Sequence, residues 1–294
     1  MGGSVWTIRS LLQWSAPWLA RRGADTPRLD AELLLADVLH LQRIGLFLDP
    51  DRPLTPSELA DFKSRLRRRE AREPVAYIVG KKDFWKDTFV VNRSVLIPRP
   101  ETETLLEIVL RAFPERNGAW SLLDVGCGSG AVLISLLREF PNAVGTGLDL
   151  STAALQVSRQ NGQRLGLDVG RQVRWLQSDL MANLAQDARF DAILANPPYI
   201  PSREMSALQP EIVRYEPHLA LDGGADGLDV IRRLVDSSSH FLNPRGLLAI
   251  EVDSRQAGTV AGWLTNLGFT GVGTQTDCYH HPRVVFGLAP TSSV

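Results

Sequence analysis

The chain of 294 residues is long enough for one large domain or two smaller ones, and 44% apolar with 22% charged residues is ordinary for a soluble globular protein. Its formal net charge of -1 gives no overall basic field of the kind that duplex DNA binding favours. The two cysteines, Cys127 and Cys278, have neither metal-ligand spacing nor the pattern of a disulfide framework, so we expect no metal site. Without a signal segment or a run of about 18 apolar residues, we expect a cytoplasmic protein.

Residues 1–80 are predicted to form a small helical domain. Thr26-Pro27 places an N-cap residue before a proline at the first helical position. Apolar residues of the helix that follows share one face, namely Leu29, Leu33, Ala36 and Leu39. Thr55-Pro56-Ser57-Glu58 has the spacing of a capping box and opens a second helix that runs to about Arg72.

A basic stretch lies on this second helix and consists of Lys63, Arg65, Arg67, Arg68, Arg69 and Arg72. One interpretation is a solvated helix face, since charges on an exposed face keep a helix in solution. The other interpretation is a docking surface for an acidic partner. The sequence leaves both open.

Residues 81–98 contain short β-like runs at Phe84-Trp85 and Thr88–Val91, which predict a hairpin-like connector. Beyond Pro100 the pattern predicts seven strands: Ser121–Val125, Val144–Leu150, Val173–Gln177, Phe190–Ala195, Gly246–Val252, Gly271–Thr276 and Val284–Leu288. Helical spans separate most of them, which indicates βαβ units, a mostly parallel sheet and an α/β fold. Only a short loop separates the last two strands, so they are predicted to pair antiparallel.

A glycine-rich loop joins the first predicted strand of this sheet to a helix, and it contains Gly126, Cys127, Gly128, Ser129 and Gly130. Glycines let a backbone turn tightly and approach a ligand without side-chain obstruction. Asp149 ends the next strand, where the ribose-binding acid of a nucleotide site would lie. The loop therefore predicts nucleotide-type binding, but it also fits the dinucleotide pattern and leaves the ligand open. We interpret Cys127 as a small spacer rather than a nucleophile.

An acid stands at or near the end of each of the first three predicted strands of the sheet: Asp124, Asp149 and Asp179. This arrangement suits a cationic ligand that contains adenosine. We expect Asp149 to bind ribose hydroxyls, Asp179 to lie near the adenine amine and Asp124 near a charged amino-acid end. The alternative for Asp179 is a helix N-cap after its strand.

Asn196-Pro197-Pro198-Tyr199 directly follows a buried strand, at the sheet edge where α/β proteins bind ligands. The prolines restrict the loop and leave the Pro197 carbonyl free to accept a hydrogen bond, and the Asn196 side chain offers a second acceptor. Two acceptors at fixed angles match the two N–H bonds of one NH₂ group, and Tyr199 offers an aromatic face to a flat amide or base. The segment selects a methyl donor over a dinucleotide but does not separate an amide from a base amine.

Several segments together resemble a known family: Arg72–Gly80, Leu96–Glu103, Asp124–Gly130, Asn196–Tyr199, Glu216-Pro217, Asp222–Asp229 and Arg283–Val285. They resemble the PrmC/HemK family of protein-(glutamine) methyltransferases, which act on peptide chain release factors. The resemblance spans nearly the whole chain and is weakest over the first 25 residues and around Cys278–His281.

The resemblance implies a class I, Rossmann-like methyltransferase domain with a seven-stranded sheet over residues 99–294, behind a substrate-docking helical domain of residues 1–80. It implies S-adenosylmethionine as cofactor, held by Gly126–Gly130, Asp149 and Asn196. Asn196–Tyr199 would hold the glutamine of a release-factor Gly-Gly-Gln motif, with Asn196, Pro197 and Tyr199 catalytic. Some relatives have an aromatic residue where this chain has Leu180. We expect release factors as partners, no direct DNA or membrane contact, and a monomer.

Overall fold

The computed structural model describes residues 5–291. The helices are α1 (Ile8–Ala20), α2 (Pro27–Val38), α3 (Gly45–Leu48), α4 (Pro56–Glu70), α5 (Val75–Val79), α6 (Glu103–Ala112), α7 (Ala131–Glu139), α8 (Thr152–Arg164), α9 (Pro210–Tyr215), α10 (Asp229–Phe241) and α11 (Ala257–Asn266). The strands are β1 (Lys81–Phe84), β2 (Asp87–Val90), β3 (Ser121–Val125), β4 (Val144–Asp149), β5 (Val173–Gln177), β6 (Phe190–Ala195), β7 (Leu242–Glu251), β8 (Thr270–Thr276) and β9 (Pro282–Leu288). Across residues 5–291, no helix is both long and apolar enough to cross a bilayer.

The chain forms two compact units. The first contains Met1–Gly80 and Gln209–Tyr215, and the second contains Lys81–Leu208 and Glu216–Val294. Helix α9 therefore belongs to the helical unit, although its sequence lies between two parts of the other unit. We had expected residues 209–215 within the methyltransferase domain, and no pattern in the sequence indicated otherwise.

Capping fixes the start of helix α4 in the first unit. The Glu58 amide donates to the Thr55 hydroxyl at 3.2 Å, and the Thr55 amide donates to the Glu58 carboxylate at 2.8 Å. These reciprocal bonds satisfy two amides that the first turn leaves without helical partners, and they confirm the predicted capping box. The helix ends at Glu70 rather than at Arg72, because Arg72 has a φ of 71°, which cannot continue a right-handed helix.

The buried face of helix α2 differs in part from the face that the spacing of its apolar residues predicted. Leu34 and Leu35 are fully buried and pack in one core with Phe62 of α4. Leu29 and Leu33 are instead 37% exposed. Leucines lie on more than one side of this helix, so periodicity alone did not identify which side meets the core.

Buried ion pairs hold α9 on the helical unit. Glu211 of α9 accepts hydrogen bonds from Arg69 Nη1 at 2.8 Å and from Arg72 Nη2 at 2.6 Å. Arg69 Nε also donates to Asp30 of α2 at 2.7 Å, and the side chains of Arg69 and Asp30 are only 6% and 7% exposed. The basic stretch is thus not a uniform solvated or docking face, because two of its arginines are committed to this network.

The second unit is built on a seven-stranded sheet of order β5-β4-β3-β6-β7-β9-β8. Neighbouring strands from β5 to β7 pair in parallel, and β9 runs antiparallel to both β7 and β8. The predicted parallel sheet with an antiparallel final pair is confirmed. Strands β4 and β6 flank β3, so the order of the chain reverses there, and the carboxyl ends of such strands form the ligand crevice of α/β sheets.

The hairpin predicted within residues 81–98 is formed by β1 and β2, which pair antiparallel from Lys81 opposite Val90 to Phe84 opposite Asp87. Phe84 and Phe89 are buried and join the core on one side of the large sheet. The hairpin is therefore part of the second unit.

Candidate active site

A cavity of about 530 Å³ lies at the carboxyl ends of the parallel strands. Small-molecule sites have volumes of roughly 300–1,000 Å³, so it can enclose most of a nucleotide-sized ligand. Ten predicted site residues line it: Asp124, Gly126, Cys127, Gly128, Ser129, Asp149, Asp179, Leu180, Asn196 and Pro198. Gly130, Pro197 and Tyr199 are not among its lining residues. The cavity brings together the glycine loop, all three predicted acids and the start of the Asn196–Tyr199 segment.

The glycine loop is locked against the strand that carries Asp149. The amides of Gly126 and Cys127 both donate to the carbonyl of Leu148 at 2.8 Å. The Gly128 amide donates to Asp149 Oδ2 at 2.9 Å. Gly128 has a φ of 55°, and a Cβ built on it meets no atom within 4 Å. The backbone of this loop can therefore approach a ligand closely.

Gly130 has a packing role that the sequence did not indicate. It forms the N-cap of α7 with a φ of 79°. A Cβ on Gly130 would stand 2.8 Å from Ile134 Cδ1 and 3.0 Å from the Trp175 ring. The absence of a side chain thus lets the loop pack against the core.

Asn161 of α8 supports the loop from behind. It is fully buried, and its amide nitrogen donates to the carbonyls of Ser129 and Val90, both at 3.0 Å. Its amide oxygen accepts from the Val90 amide at 2.8 Å. The side chain joins the hairpin strand β2 to the glycine loop. Sequence reasoning missed it, because a polar residue within a helix carries no signal of burial.

Two of the three acids at the cavity, Asp124 and Asp149, lack the solvation that a carboxylate has in water. Asp124 is 3% exposed, and its Oδ2 has no hydrogen-bond partner among the described residues. Burial raises the Asp124 pKa to about 7, assisted by the charge of Asp149. Burial also raises the pKa of Asp149, against the hydrogen bonds from backbone amides, including that of Ser151. A cationic ligand would compensate both carboxylates, which fits S-adenosylmethionine.

Cys127 is buried within the loop, with its Sγ 3.7 Å from the Ser158 hydroxyl. Burial raises the pKa of this thiol, and the charges of Asp124 and Asp149 raise it further. The side chain therefore stays a neutral thiol, which supports its interpretation as a spacer. Among residues 5–291, no group of three or more His, Cys, Asp or Glu side chains could hold a metal ion.

Asp179 does not cap a helix. Its carboxylate pairs with Arg233 of α10 at 2.8 Å, and both side chains are more than half exposed. Turns rather than a helix follow β5, and the Asn183 amide donates to the hydroxyl of Ser178 instead. The N-cap alternative was therefore wrong. Leu180 adopts a φ of 50° and packs partly against the core, while it also lines the cavity.

Asn196 lies just beyond the end of β6, and its side chain is oriented by a residue from a distant segment. Its Nδ2 donates to the Thr102 hydroxyl oxygen at 3.0 Å. This contact uses the donor side of the amide and leaves Oδ1 as an acceptor. The Tyr199 hydroxyl faces Glu251 Oε1 of β7 at 3.5 Å, and burial raises the pKa of this phenol, so it remains protonated.

Sequence reasoning missed Glu251 and Gln256, and it did not single out Thr102 within the Leu96–Glu103 segment. Gln256 Nε2 donates to the Tyr199 carbonyl at 3.0 Å, so the segment is held through its backbone as well. Glu251 is 1% exposed at the end of a buried strand. The same signal, an acid that closes an apolar strand, had identified Asp149 and could have identified Glu251.

The doubly wound sheet, with an acid at the end of β4 and Asn-Pro-Pro-Tyr after β6, defines a class I methyltransferase. Two family models match the chain: the PrmC N-terminal domain over residues 10–80 and the methyltransferase small domain over residues 102–225. The crystal structure of a methyltransferase from Pyrococcus furiosus is similar, with a TM-score of 0.51 and 17% identity over 79% of this chain and 99% of that one.

Two relatives of high similarity are both named release factor glutamine methyltransferase. The protein of Geobacter sulfurreducens is 42% identical over 96% of this chain and 97% of its own length. The protein of Caulobacter vibrioides is 41% identical over 96% of this chain and 97% of its own length. The chain belongs to the release factor glutamine methyltransferase family.

Proposed function

We propose that this enzyme transfers a methyl group from S-adenosylmethionine to the side-chain amide nitrogen of the glutamine in the Gly-Gly-Gln motif of peptide chain release factors. The observation that carries the proposal is the hydrogen bond from Asn196 Nδ2 to Thr102, which leaves Asn196 Oδ1 as an acceptor. An acceptor at this position matches a substrate NH₂ group. The names and near full-length similarity of the relatives support the release factor as substrate.

The cofactor supplies a methyl group on a positively charged sulfur. We propose that the loop Gly126–Gly130, with Asp149, Asp179, Leu180 and Asn196, binds it. Asp149 would accept hydrogen bonds from ribose hydroxyls through lone pairs that the Gly128 and Ser151 amides do not use. Asp124 would face the amino-acid end, because an ammonium group compensates a buried carboxylate.

The residues Asn196, Pro197, Pro198 and Tyr199 would hold and activate the substrate amide. An amide nitrogen is a poor nucleophile, because its lone pair is delocalised into its carbonyl group. Two acceptors, Asn196 Oδ1 and the Pro197 carbonyl, would fix the direction of the NH₂ group and supply the positional part of catalysis. The same acceptors would stabilise positive charge that develops on the nitrogen during transfer. The proton of the product would leave to water.

We also propose that residues 1–80 dock the release factor. Lys63 and Arg67 are exposed on α4, in contrast to the buried Arg69, and they suit contact with an acidic surface. The proposed substrate implies a cytoplasmic enzyme, and we propose that it acts as a monomer.

The test is a methylation assay with radiolabelled S-adenosylmethionine. The substrates are purified release factor, the same factor with the Gly-Gly-Gln glutamine changed to alanine, a ribosomal protein rich in exposed glutamine, and duplex DNA. We expect label on the unmodified release factor alone. Equal label on the alanine variant, or label on DNA, would contradict the proposal.

A further inference from the structure

A buried carboxylate holds an arginine beside the cavity. The side chain of Glu216 is 1% exposed, and its Oε1 accepts a hydrogen bond from Arg99 Nη2. Its Oε2 accepts from the Ile97 amide at 3.2 Å, so both oxygens are bound to the same short segment. A carboxylate that is removed from water requires such partners, because burial without them costs several kcal/mol, on the order of the penalty for an unpaired charge. The two bonds fix where the Arg99 guanidinium lies.

Arg99 faces the cavity, whereas Glu216 lies behind it. Arg99 lines the cavity and its side chain is 32% exposed, and Glu216 is not a lining residue. Within residues 5–291, Nη2 is the one guanidinium atom of Arg99 with a hydrogen bond, so Nε and Nη1 can donate to a ligand. The planar fork of a guanidinium group matches the two oxygens of a carboxylate. The exposed side of Arg99 therefore suits an anionic ligand.

The neighbours of Arg99 place it at the end of the cavity where we propose that methyl transfer occurs. The Thr102 amide donates to the Arg99 carbonyl at 3.1 Å, and the Thr102 hydroxyl oxygen accepts from Asn196 Nδ2 at 3.0 Å. Arg233 also lines the cavity, but it pairs with Asp179 after β5, and β5 lies three places from β6 in the sheet. Among the described lining residues, Arg99 is thus the cation near Asn196.

We propose that Arg99 binds the carboxylate of the methionine moiety of S-adenosylmethionine, and that Glu216 is a positioning residue that holds the guanidinium toward it. The methionine moiety has an ammonium and a carboxylate near the sulfur that carries the methyl group. Asp124 is the proposed partner of the ammonium, and the carboxylate requires a cation. A glutamine side chain is neutral, so charge complementarity favours the cofactor over the substrate as the ligand of Arg99. The inference rests on the proposed function only in its cofactor.

The experiment compares two ligands that differ by one carboxylate. Calorimetry with the full-length protein measures the Kd of S-adenosylmethionine and of its decarboxylated analogue, which keeps the sulfonium and the amine. Charge-assisted hydrogen bonds of this kind should make the wild type bind S-adenosylmethionine roughly tenfold or more tightly than the analogue. Arg99→Gln should bind the two ligands with similar Kd. Arg233→Gln, at the other arginine of the cavity, is the matched control and should keep the wild-type ratio.

Glu216→Gln tests the positioning role. It should weaken binding of S-adenosylmethionine but leave the Kd of the analogue within about twofold, because only the carboxylate contact depends on the direction of the guanidinium. Disruption of the fold would instead weaken both ligands alike. The double variant of Arg99→Gln and Glu216→Gln replaces the ion pair by two neutral amides, so it avoids an unpaired buried charge. It should bind both ligands with the Kd values of Arg99→Gln.

Three results would overturn the inference. The first is a wild-type protein that binds both ligands equally, and the second is an Arg99→Gln variant that loses affinity for both in the same proportion. The third is an Arg99→Gln variant with an unchanged Kd of S-adenosylmethionine and a raised KM for release factor, which would assign Arg99 to the substrate. Since the binding assay contains no release factor, a protein that binds the cofactor but fails to methylate that substrate would refute the proposed function and leave this test valid.

Discussion

Gly227 lies so close to the backbone of Tyr199 that a Cβ on Gly227 would stand 2.4 Å from the Tyr199 carbonyl oxygen. The side chain of Gln256 bridges the two residues, because its Nε2 donates to the carbonyls of Tyr199 at 3.0 Å and of Gly227 at 3.1 Å. Gly223 makes a similar approach, with a built Cβ 2.8 Å from the Pro198 carbonyl oxygen. The glycine-containing loop before α10 therefore sets where the Asn196–Tyr199 backbone lies.

Gly227→Ala should displace this backbone and lower kcat by roughly 10²-fold, since a displacement of about 1 Å at a reacting group has effects of this size. The φ of 79° at Gly227 adds strain for any residue with a Cβ. Steady-state kinetics with release factor, together with cofactor binding by calorimetry, measures the effect. We expect the Kd of S-adenosylmethionine to change little.

Gly258→Ala is the matched control, because Gly258 is an exposed glycine within α11 and its built Cβ meets nothing within 4 Å. It should keep wild-type kcat and stabilise the protein by roughly 0.5–1 kcal/mol through helix propensity. Equal activity of the two variants would show that the contact at Tyr199 does not set the geometry of the site.

Asp124→Asn should make cofactor binding weaker and independent of pH near neutrality. The Asp124 pKa is raised from 3.8 to about 7, so the native protein without ligand favours the protonated acid and loses stability as pH rises through this range. A cationic ligand instead favours the ionised form, so wild-type affinity should rise as pH increases through about 7. Removal of the charge should cost roughly tenfold in Kd at pH 8.

Two measurements on Asp124→Asn check the direction of these effects. The Tm of the variant without ligand should exceed that of the wild type at pH 8, and the difference should shrink by pH 5. The Kd of S-adenosylmethionine should vary with pH in the wild type but not in the variant. An affinity that falls as pH rises in the wild type would contradict the role proposed for Asp124.

Asn196→Ala should lower kcat far more than it weakens cofactor binding. Loss of Oδ1 removes one of the two acceptors for the substrate amide, and the cost of one such transition-state contact is roughly 10²–10³ in kcat. We expect the Kd of S-adenosylmethionine to rise less than fivefold by equilibrium binding. A parallel loss of both would mean that Asn196 serves mainly as a cofactor ligand.

Features that depend on neighbouring residues could be predicted from the sequence, and features that depend on distant ones could not. Strands β3, β5 and β6 have the predicted bounds, because short apolar runs between turn residues define them locally. The Thr55 capping box is likewise local. The contact between Asn196 and Thr102 joins residues 94 positions apart, and no pattern within either segment indicates the other.

The same limit applies to which face of a helix is buried and to which of the two units a helix belongs. Leu29 and Leu33 are apolar and lie at helical spacing, yet the core of the helical unit forms on the side of Leu34. Which side is buried depends on where α4 packs. Helix α9 belongs to that unit because Glu211 pairs with Arg69 and Arg72, which lie 142 and 139 residues before it in the sequence.

Arg69→Ala should destabilise the helical unit by about 3–5 kcal/mol, the cost of breaking a buried ion pair by removing one partner. The change would leave the Asp30 carboxylate, 7% exposed, without its cationic partner, and Glu211 with Arg72 as its remaining one. Chemical denaturation followed by hydrogen exchange at the backbone amides of α1, α2 and α4 reports on this unit.

Arg67→Ala is the control for this prediction, because Arg67 is exposed on the same helix and should change stability by less than about 0.5 kcal/mol.

Glu211→Gln separates the role of α9 from that of α2, since it weakens the pairing with Arg69 and Arg72 but leaves Asp30 unchanged. Hydrogen bonds from Arg72 and Arg69 hold the Glu211 pKa below its ordinary value, although burial alone would raise it. The stabilisation from Glu211 should thus be present above pH 4.5 and be lost as pH falls through its lowered pKa, and Glu211→Gln should remove this acid sensitivity. If Arg69→Ala and Arg67→Ala were equally stable, the buried network would not be what holds α9 on the helical unit.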